Sequence, residues 1–195
     1  MRELSLYDLI VSRRTVRQFK PAPVPRPILE KIVDAGRLAP SAGNMQPLEF
    51  VVVDDGETRA RIFPCLRWAG YIAPEGNPRP GQEPMAYVFP VINLSVREKG
   101  YENDVGAAVE NMILAAWAEG IGSCWLISVE RGKVAEILNI PQGFRVDSVI
   151  ALGYPAESPV VEDFKDSVKY WKDDQGVLHV PKRRLEDVLH FNRYR

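Results

Sequence analysis

One segment of the chain, residues 105–117, restricts the possible folds more than any other part of the sequence. Apolar residues recur there at helical spacing and also occupy the remaining helical faces; the first group is Val105, Ala108, Val109, Met112 and Ala116, and the second is Ile113, Leu114 and Trp117. A helix with so little polar surface has to be covered on most of its sides. In a chain of 195 residues its own sheet can cover one side, and a second subunit commonly covers another. The sequence therefore favours a homodimer.

Three further helices are predicted around this central helix. Ser5 followed by Asp8 matches a capping box, and the helix that it opens should end near Arg13. Apolar spacing indicates the other two helices, one through Ile28, Leu29, Ile32 and Val33 up to Gly36, and one through Val134, Ile137 and Leu138 before Pro141.

Four apolar stretches predict strands at residues 50–53, 87–96, 123–129 and 146–152. Pro90 lies inside the second stretch and suggests an edge strand or an interruption, because proline has no N–H to donate. Residues 70–84 are rich in glycine and proline and should be irregular, while the last thirty residues are interpreted as an arm. The expected fold class is α+β, with a mixed central sheet flanked by helices in a single domain of residues 1–195.

Composition excludes several classes of function. A formal net charge of −1 gives no general attraction to nucleic acid or anionic lipid, so neither is expected as a partner. The first ten residues lack the apolar core of a signal peptide, and no window approaches the roughly 18 apolar residues of a membrane span, so a cytoplasmic protein is expected. Cys65 and Cys124 should remain reduced. His179 and His190 have no metal-ligand neighbours, so no metal site is predicted.

Two clusters of basic residues are candidates for binding an anion. Arg13, Arg14 and Arg17 surround Thr15, and residues 182–184 form a second cluster near the other end of the chain. Guanidinium groups match phosphate oxygens in bidentate fashion, and a neighbouring hydroxyl can donate one more hydrogen bond. Solvated surface is the alternative for both clusters, since cations are also favoured at the end of a helix. The spacing alone does not require the two clusters to meet.

Six segments together resemble the nitroreductase family in their order and approximate spacing. They are residues 12–19 (SRRTVRQF), 39–47 (APSAGNMQP), 104–112 (DVGAAVENM), 120–125 (GIGSCW), 151–155 (ALGYP) and 181–185 (PKRRL). The resemblance extends over nearly the whole chain. It implies a homodimer with FMN at the subunit interface, and a C-terminal arm that contributes to an intertwined dimer.

The same resemblance implies specific roles for residues in these motifs. Arg13, Thr15, Lys182 and Arg184 would hold the FMN phosphate and ribityl chain, with Arg14 contributing nearby and Arg17 facing the pyrimidine edge. The other subunit would supply the loop with Pro40, Ser41, Asn44 and Gln46. Ile127 and Ser128, at the end of a predicted strand, would offer backbone donors to the flavin ring, although a plain core strand would show the same residues.

The implied activity is hydride transfer from NADH or NADPH to a small organic acceptor, such as a nitroaromatic or a quinone, by a ping-pong mechanism. FMN would carry the chemistry, so no catalytic side chain is expected. Two alternatives stay open: a specialised relative, such as a flavin reductase, a dehalogenase or a flavin-fragmenting enzyme, and a flavin-binding or storage protein without turnover. Residues 68–87 depart from the family pattern, since the Asn or Lys that contacts the flavin ring in many relatives has no counterpart there; Trp68 and Tyr71 are candidates to shape the acceptor pocket.

Overall fold

A computed structural model gives the structure of this chain and describes residues 5–194. The helices are α1 (Leu6–Ser12), α2 (Arg26–Arg37), α3 (Gly56–Ile62), α4 (Glu102–Ala118) and α5 (Arg131–Ile137). The strands are β1 (Leu48–Val53), β2 (Ala86–Asn93), β3 (Gly122–Leu126), β4 (Phe144–Val146), β5 (Val149–Gly153), β6 (Val160–Asp163), β7 (Trp171–Lys172) and β8 (Leu178–Lys182). This arrangement confirms the predicted α+β class.

The central sheet has the strand order β1-β2-β5-β3, and β4 also pairs with β2. The described strand pairs of this sheet are antiparallel. The mixture of parallel and antiparallel strands that the sequence led us to expect is therefore not found within β1–β5. Parallel pairing occurs instead between β6 and β8 in a second sheet, and at an isolated bridge between Thr15 and Ser123. The N-terminal segment therefore lies beside β3, and this contact positions the first basic cluster.

Pro90 lies in a strand that is paired on both sides, so the edge position suggested by the sequence is wrong and the interruption is confirmed. It faces Phe50 of β1 in register. On the other side β2 pairs first with β5 and then with β4, and the Pro90 carbonyl accepts a hydrogen bond of 3.0 Å from the Asp147 N–H between those two strands. The missing N–H of proline thus falls where the ladder is already broken. The stretch predicted as one strand at 146–152 is correspondingly divided into β4 and β5.

Two other predicted strands are shorter than expected. The second ends at Asn93 rather than at residue 96, because the Asn93 side chain accepts hydrogen bonds from the Ser95 backbone and hydroxyl and closes a turn. The third ends at Leu126, so Ile127 and Ser128 lie just beyond β3 rather than within it.

Helix α4 packs against α2 and one face of the central sheet, as its apolar sequence predicts. Met112 is fully buried, and its Cγ would lie 2.7 Å from a Cβ placed on Gly36, so the glycine permits the close approach of the two helices. The opposite face of the sheet carries Tyr87 and Phe89, which belong to a second core cluster with residues of α3 and α5. Leu114 and Trp117 of α4 stay half-buried. Part of the apolar surface of α4 is therefore left for a further contact.

The two ends of the described chain expose apolar side chains. The predicted capping box opens α1, since the Ser5 hydroxyl accepts from the Asp8 N–H and the Asp8 carboxylate accepts from the Ser5 N–H. No residue of α1 is buried. At the other end, β6, β8 and β7 form a three-stranded sheet, after which Leu185, Phe191 and Tyr194 are largely exposed. Within residues 5–194, no helix has both the length and the apolar character needed to cross a bilayer.

Candidate functional site

The first basic cluster directly follows α1 and lies along β3. Arg13 is the C-terminal cap of α1, and the Val16 N–H donates to the Ser123 carbonyl over 2.9 Å. Val16 is fully buried, whereas Arg13, Arg14, Thr15 and Arg17 are half-buried. The cluster is therefore part of the protein body rather than a fully solvated helix end.

The two arginines next to α1 have different partners. Arg14 Nη1 donates to the Val11 and Arg13 carbonyls, so this guanidinium caps the C-terminus of the helix, as expected of a cation at that position. Burial, and then the positive charge of Arg13, lower the pKa of Arg14. Among residues 5–194, the one salt bridge of Arg13 is a long pair of 3.9 Å with Glu110 of α4. Arg13 is consequently the better placed of the two to engage an anion.

Arg17 is the most unusual residue of this cluster, because its side chain is half-buried and forms no salt bridge with a carboxylate of the described chain. Glu157 accepts from the Arg17 and Gln18 backbone N–H groups, over 2.5 and 3.2 Å, and fixes the main chain there. The Arg17 guanidinium lies over the ring of Tyr170, with Cζ 5.0 Å from the ring centroid. Arg17 Nε is buried and has no acceptor among residues 5–194. An unsatisfied buried donor of this kind fits a site that is completed by a ligand.

Cys124 lies beside this arginine at the core of β3. Burial raises the pKa of its thiol to about 11, so the thiol stays protonated and unreactive at neutral pH. Cys124 and Cys65 are both free and buried.

The loop with Pro40, Ser41, Asn44 and Gln46 lies between α2 and β1 and is mostly exposed. Asn44 and Gln46 have φ angles of 53° and 51°, in the left-handed region that asparagine tolerates and that is costly for glutamine. Strain of this kind often occurs at functional sites. No described hydrogen bond joins this loop to the basic cluster of the same protomer.

Ile127 and Ser128, for which the resemblance implies backbone donors, directly follow the end of β3. The Ile127 carbonyl accepts from Arg131, and the Ser128 carbonyl accepts from the Arg67 N–H, each over 3.0 Å. Within the described chain the N–H groups of Ile127 and Ser128 have no protein acceptor. Ile127 is 60% exposed, so a ligand can reach this edge.

A cavity of about 510 Å³ lies next to the same strand end and is lined mainly by apolar residues, among them Phe63, Leu66 and Trp68, together with Arg67. The irregular segment that carries Trp68 is held on the protein by Gln18, which donates to the Asn77 carbonyl and accepts from the Arg79 N–H. Tyr71 of this segment packs against Tyr170, with ring centroids 5.0 Å apart. Trp68 therefore lies near the strand end, and Tyr71 of the same segment lies near Arg17 through its contact with Tyr170.

The second basic cluster is not joined to the first in this protomer. Lys182, Arg183 and Arg184 are exposed, and Arg184 pairs with Glu186 over 2.9 Å and with Asp187 over 3.5 Å. Across residues 5–194, no hydrogen bond or salt bridge connects this cluster with residues 13–17. The two clusters are linked only indirectly, through Tyr170, which precedes β7 of the small sheet and contacts Arg17.

Sequence reasoning missed three residues of this region: Glu157, Tyr170 and Asp104. Glu157 contacts Arg17 across 140 residues of sequence, and Asp104 accepts from the Ala42 N–H across 62. The one available signal was Asp104, an acidic residue that begins a family motif. Among the described residues, no group of three His, Cys, Asp or Glu side chains could hold a metal ion.

Comparison with known proteins agrees with the geometry. The model of the nitroreductase family matches residues 10–154. A provisionally named NADH dehydrogenase/NAD(P)H nitroreductase of Archaeoglobus fulgidus is 32% identical over 174 residues, which cover 86% of this chain and 93% of that protein.

Solved structures share the fold. A provisionally named NADH dehydrogenase/NAD(P)H nitroreductase of Parabacteroides distasonis superposes with a TM-score of 0.72 at 23% identity, covering 98% of this chain and 100% of that one. An FMN-dependent nitroreductase of Clostridium difficile superposes with a TM-score of 0.69 at 22% identity, covering 95% of this chain and 98% of that one.

Proposed function

This chain belongs to the nitroreductase family, and from that premise we propose that it is an FMN-dependent oxidoreductase that transfers hydride from NAD(P)H to a small organic acceptor. Nitroaromatics and quinones are the acceptor classes that we propose, with NAD(P)H and acceptor using one binding space in turn. The observation that carries the proposal is the Arg17 side chain, a half-buried cation whose Nε has no protein acceptor among the described residues. A cation with a free N–H donor can bind the polar edge of the flavin ring and stabilise the negative charge that forms there on reduction.

The residues present fit FMN in two further respects. Arg13 and Thr15 offer a guanidinium and a hydroxyl on one half-buried segment, and the long Arg13–Glu110 pair leaves that guanidinium available to a phosphate. The Ile127 and Ser128 N–H groups are free donors at an exposed strand end. Lys182 and Arg184 would also bind the phosphate. For this, Arg184 would have to give up its salt bridges with Glu186 and Asp187.

When bound, FMN supplies the hydride-accepting and hydride-donating chemistry, and the protein supplies position and charge. Arg13 and Thr15 would bind the phosphate, with Arg14 closing the end of α1 beside them. Arg17 would stabilise negative charge that develops on the ring system during reduction. The cavity lined by Trp68 and Phe63, next to the strand end, would admit the acceptor and exclude bulk water.

We further propose a homodimer in which each subunit lends the loop of Pro40, Ser41, Asn44 and Gln46 to the site of the other. Exposed apolar residues lie on α1 and on the segment after β8, which is the last part of the C-terminal arm. In the dimer this segment would pack against the partner subunit and bury its apolar side chains. Strand β1 is paired only with β2 among the described strands. Beside it lies a groove of about 510 Å³ lined by Leu29, Val33 and Val52 and by five charged residues of α2 and the end of β1. Residues 1–195 would act as one domain, and the protein would be cytoplasmic.

The test is an absorbance spectrum of the purified protein, recorded before and after anaerobic addition of NADH and then of NADPH. We expect flavin bands that bleach with at least one nucleotide and return when a quinone or a nitroaromatic is added. A chain that neither carries nor binds FMN would contradict the proposal at its centre. Bound flavin that stays oxidised would instead favour a storage protein or a relative with a different reductant.

A further inference from the structure

The loop of residues 41–46 has a backbone shape that its own sequence does not favour. Gly43, Asn44 and Gln46 all have positive φ angles, of 61°, 53° and 51°. Glycine adopts this region without cost and asparagine tolerates it, whereas for Gln46 the conformation is strained. A strained shape persists only when the surroundings fix it.

Very little of the protein body fixes this loop. Its shortest internal hydrogen bonds run from the Asn44 and Gln46 N–H groups to the Ser41 carbonyl and hydroxyl, over 2.9 and 3.0 Å, and two longer ones join Met45 to Ala42 and Gln46 to Asn44. Beneath it lies a cavity of about 150 Å³, bordered by Ser41, Gln46 and Asp104, so close packing does not support the loop from below. Within residues 5–194, the only hydrogen bond between residues 41–46 and another element runs from the Ala42 N–H to Asp104 Oδ1, over 3.1 Å.

Asp104 is itself held firmly. It lies in the first turn of α4, is 4% exposed, and pairs through Oδ2 with Arg97 Nη1 over 3.3 Å. Arg97 is oriented by a second hydrogen bond, from Nε to the Lys99 carbonyl over 3.0 Å. A carboxylate buried to this degree is costly unless both of its oxygens have partners, and here one partner is the loop.

We propose that Asp104, held by Arg97, is a positioning residue that fixes the shape of loop 41–46 for use in the flavin site of the partner subunit. The inference rests on the proposed function, because it assumes an FMN site completed by a second copy of this chain. It assigns to Asp104 no contact with FMN. Loss of Asp104 in one subunit should therefore impair the FMN site whose Arg13 belongs to the other subunit.

The first experiment measures the FMN dissociation constant by flavin fluorescence for Asp104→Ala, Asp104→Asn and Arg97→Met. Asp104→Ala should weaken FMN binding at least tenfold, and Asp104→Asn by less, because the amide oxygen can still accept from Ala42. Arg97→Met should raise the FMN dissociation constant by less than Asp104→Ala does, because Asp104 is still present but has lost its partner. Glu102→Ala is the matched control, since Glu102 is an exposed acid in the same helical turn, and it should leave the constant within twofold of wild type.

The second experiment separates positioning in trans from a general loss of stability. Differently tagged Asp104→Ala and Arg13→Ala chains are co-expressed, and the mixed dimer is purified. One of its two sites then combines an intact Arg13 with an intact partner loop, so half of the sites should bind FMN with wild-type affinity. A fold defect confined to the Asp104→Ala protomer would restore no site.

Unchanged FMN affinity in Asp104→Ala, or a mixed dimer without a restored site, would overturn the inference while the wild-type protein still binds and reduces flavin. A wild-type chain that binds no FMN would overturn the proposed function and this inference together. The two failures are therefore distinguishable from the wild-type titration alone.

Discussion

At the scale of single residues, the environment of each arginine in the segment 13–17 indicates what that arginine can do. Arg14 is occupied by the carbonyls at the end of α1. Arg17 has a buried Nε without an acceptor in the described chain, which costs stability in the absence of a ligand. The segment therefore combines a structural arginine with one whose contacts in the protein are incomplete.

Replacing Arg17 by methionine should stabilise the apoprotein against unfolding and slow the reduction of bound flavin. Removal of an unsatisfied buried donor is expected to gain about 1 kcal/mol of unfolding free energy, while the rate of flavin reduction by NADH falls on the order of a hundredfold because the stabilising cation is lost. Differential scanning fluorimetry and stopped-flow absorbance measure the two effects. Arg17→Lys keeps the charge and should retain most of the rate, and an unchanged rate in Arg17→Met would exclude Arg17 from the flavin site.

Arg13→Ala and Arg184→Ala test the phosphate site directly. Each should weaken FMN binding about tenfold or more, because a charge-assisted hydrogen bond to an anion is lost. Circular dichroism should show an unchanged fold, and Arg37→Ala, a surface arginine paired with Asp34, is the control. If both variants retain wild-type affinity, neither residue belongs to the phosphate site.

At the scale of elements, one histidine links the three strands of the small sheet. It lies on β8 between a carboxylate of β6 and one that follows β7. His179 of β8 lies 3.2 Å from Glu162 and 3.2 Å from Asp173, one contact through each ring nitrogen, and it stacks on Trp171 with centroids 4.3 Å apart. Both contacts can be hydrogen bonds only when the imidazole carries two protons. The hydrogen bond with Asp173, and then that with Glu162, raise the pKa of His179 against the opposing effect of desolvation.

This arrangement predicts a stability that decreases at alkaline pH. Since the pKa of His179 is higher in the folded chain than in the unfolded one, its contribution is fully present below about pH 6.5 and is lost as the pH rises through the folded value. The lowered pKa values of Glu162 and Asp173 have the opposite sign, and their contributions are lost only when the pH falls through those values, below the ordinary range of carboxyl groups.

The measurement is the melting temperature of wild type and of His179→Gln between pH 6 and 9. Wild type should be the more stable protein at pH 6, and the difference should shrink as the pH rises. His190→Gln is a control from outside this sheet. A difference that stays constant with pH would show that His179 has the same pKa in the folded and in the unfolded chain, and would contradict the prediction.

At the scale of the whole molecule, α1 and the segment after β8 are both rich in exposed apolar side chains. Leu185 is 71% exposed, Phe191 73% and Tyr194 87%, and α1 has no buried residue. The half-buried Leu114 adds to this surface. Together with the position of loop 41–46 at the surface, these features favour a second copy of the chain as the cover.

Deletion of residues 185–195 should convert the proposed dimer to monomers and lower FMN retention severalfold, while Lys182 and Arg184 remain present. Removal of the apolar arm exposes the surface that it would cover on the partner, so the association weakens. Light scattering after size-exclusion chromatography measures the mass. A truncated chain that stays dimeric with bound flavin would show that the arm is dispensable for assembly.

The sequence by itself determined the features that depend on residues close together in the chain. Apolar periodicity identified α4, the pair Ser5 and Asp8 identified the start of α1, and three arginines within five residues identified the first basic cluster. Local spacing decides such features, because helix periodicity and capping involve residues only a few positions apart.

Only the tertiary structure decided the contacts between residues that are distant in the chain. It placed the break between β4 and β5 opposite Pro90, Glu157 under the backbone of Arg17, Tyr170 over its guanidinium, and Asp104 at the loop that contains Ala42. Each of these depends on how the sheet, α4 and the C-terminal segment pack together. No local pattern encodes that packing, since the partners are brought together by burial of the whole core rather than by their spacing.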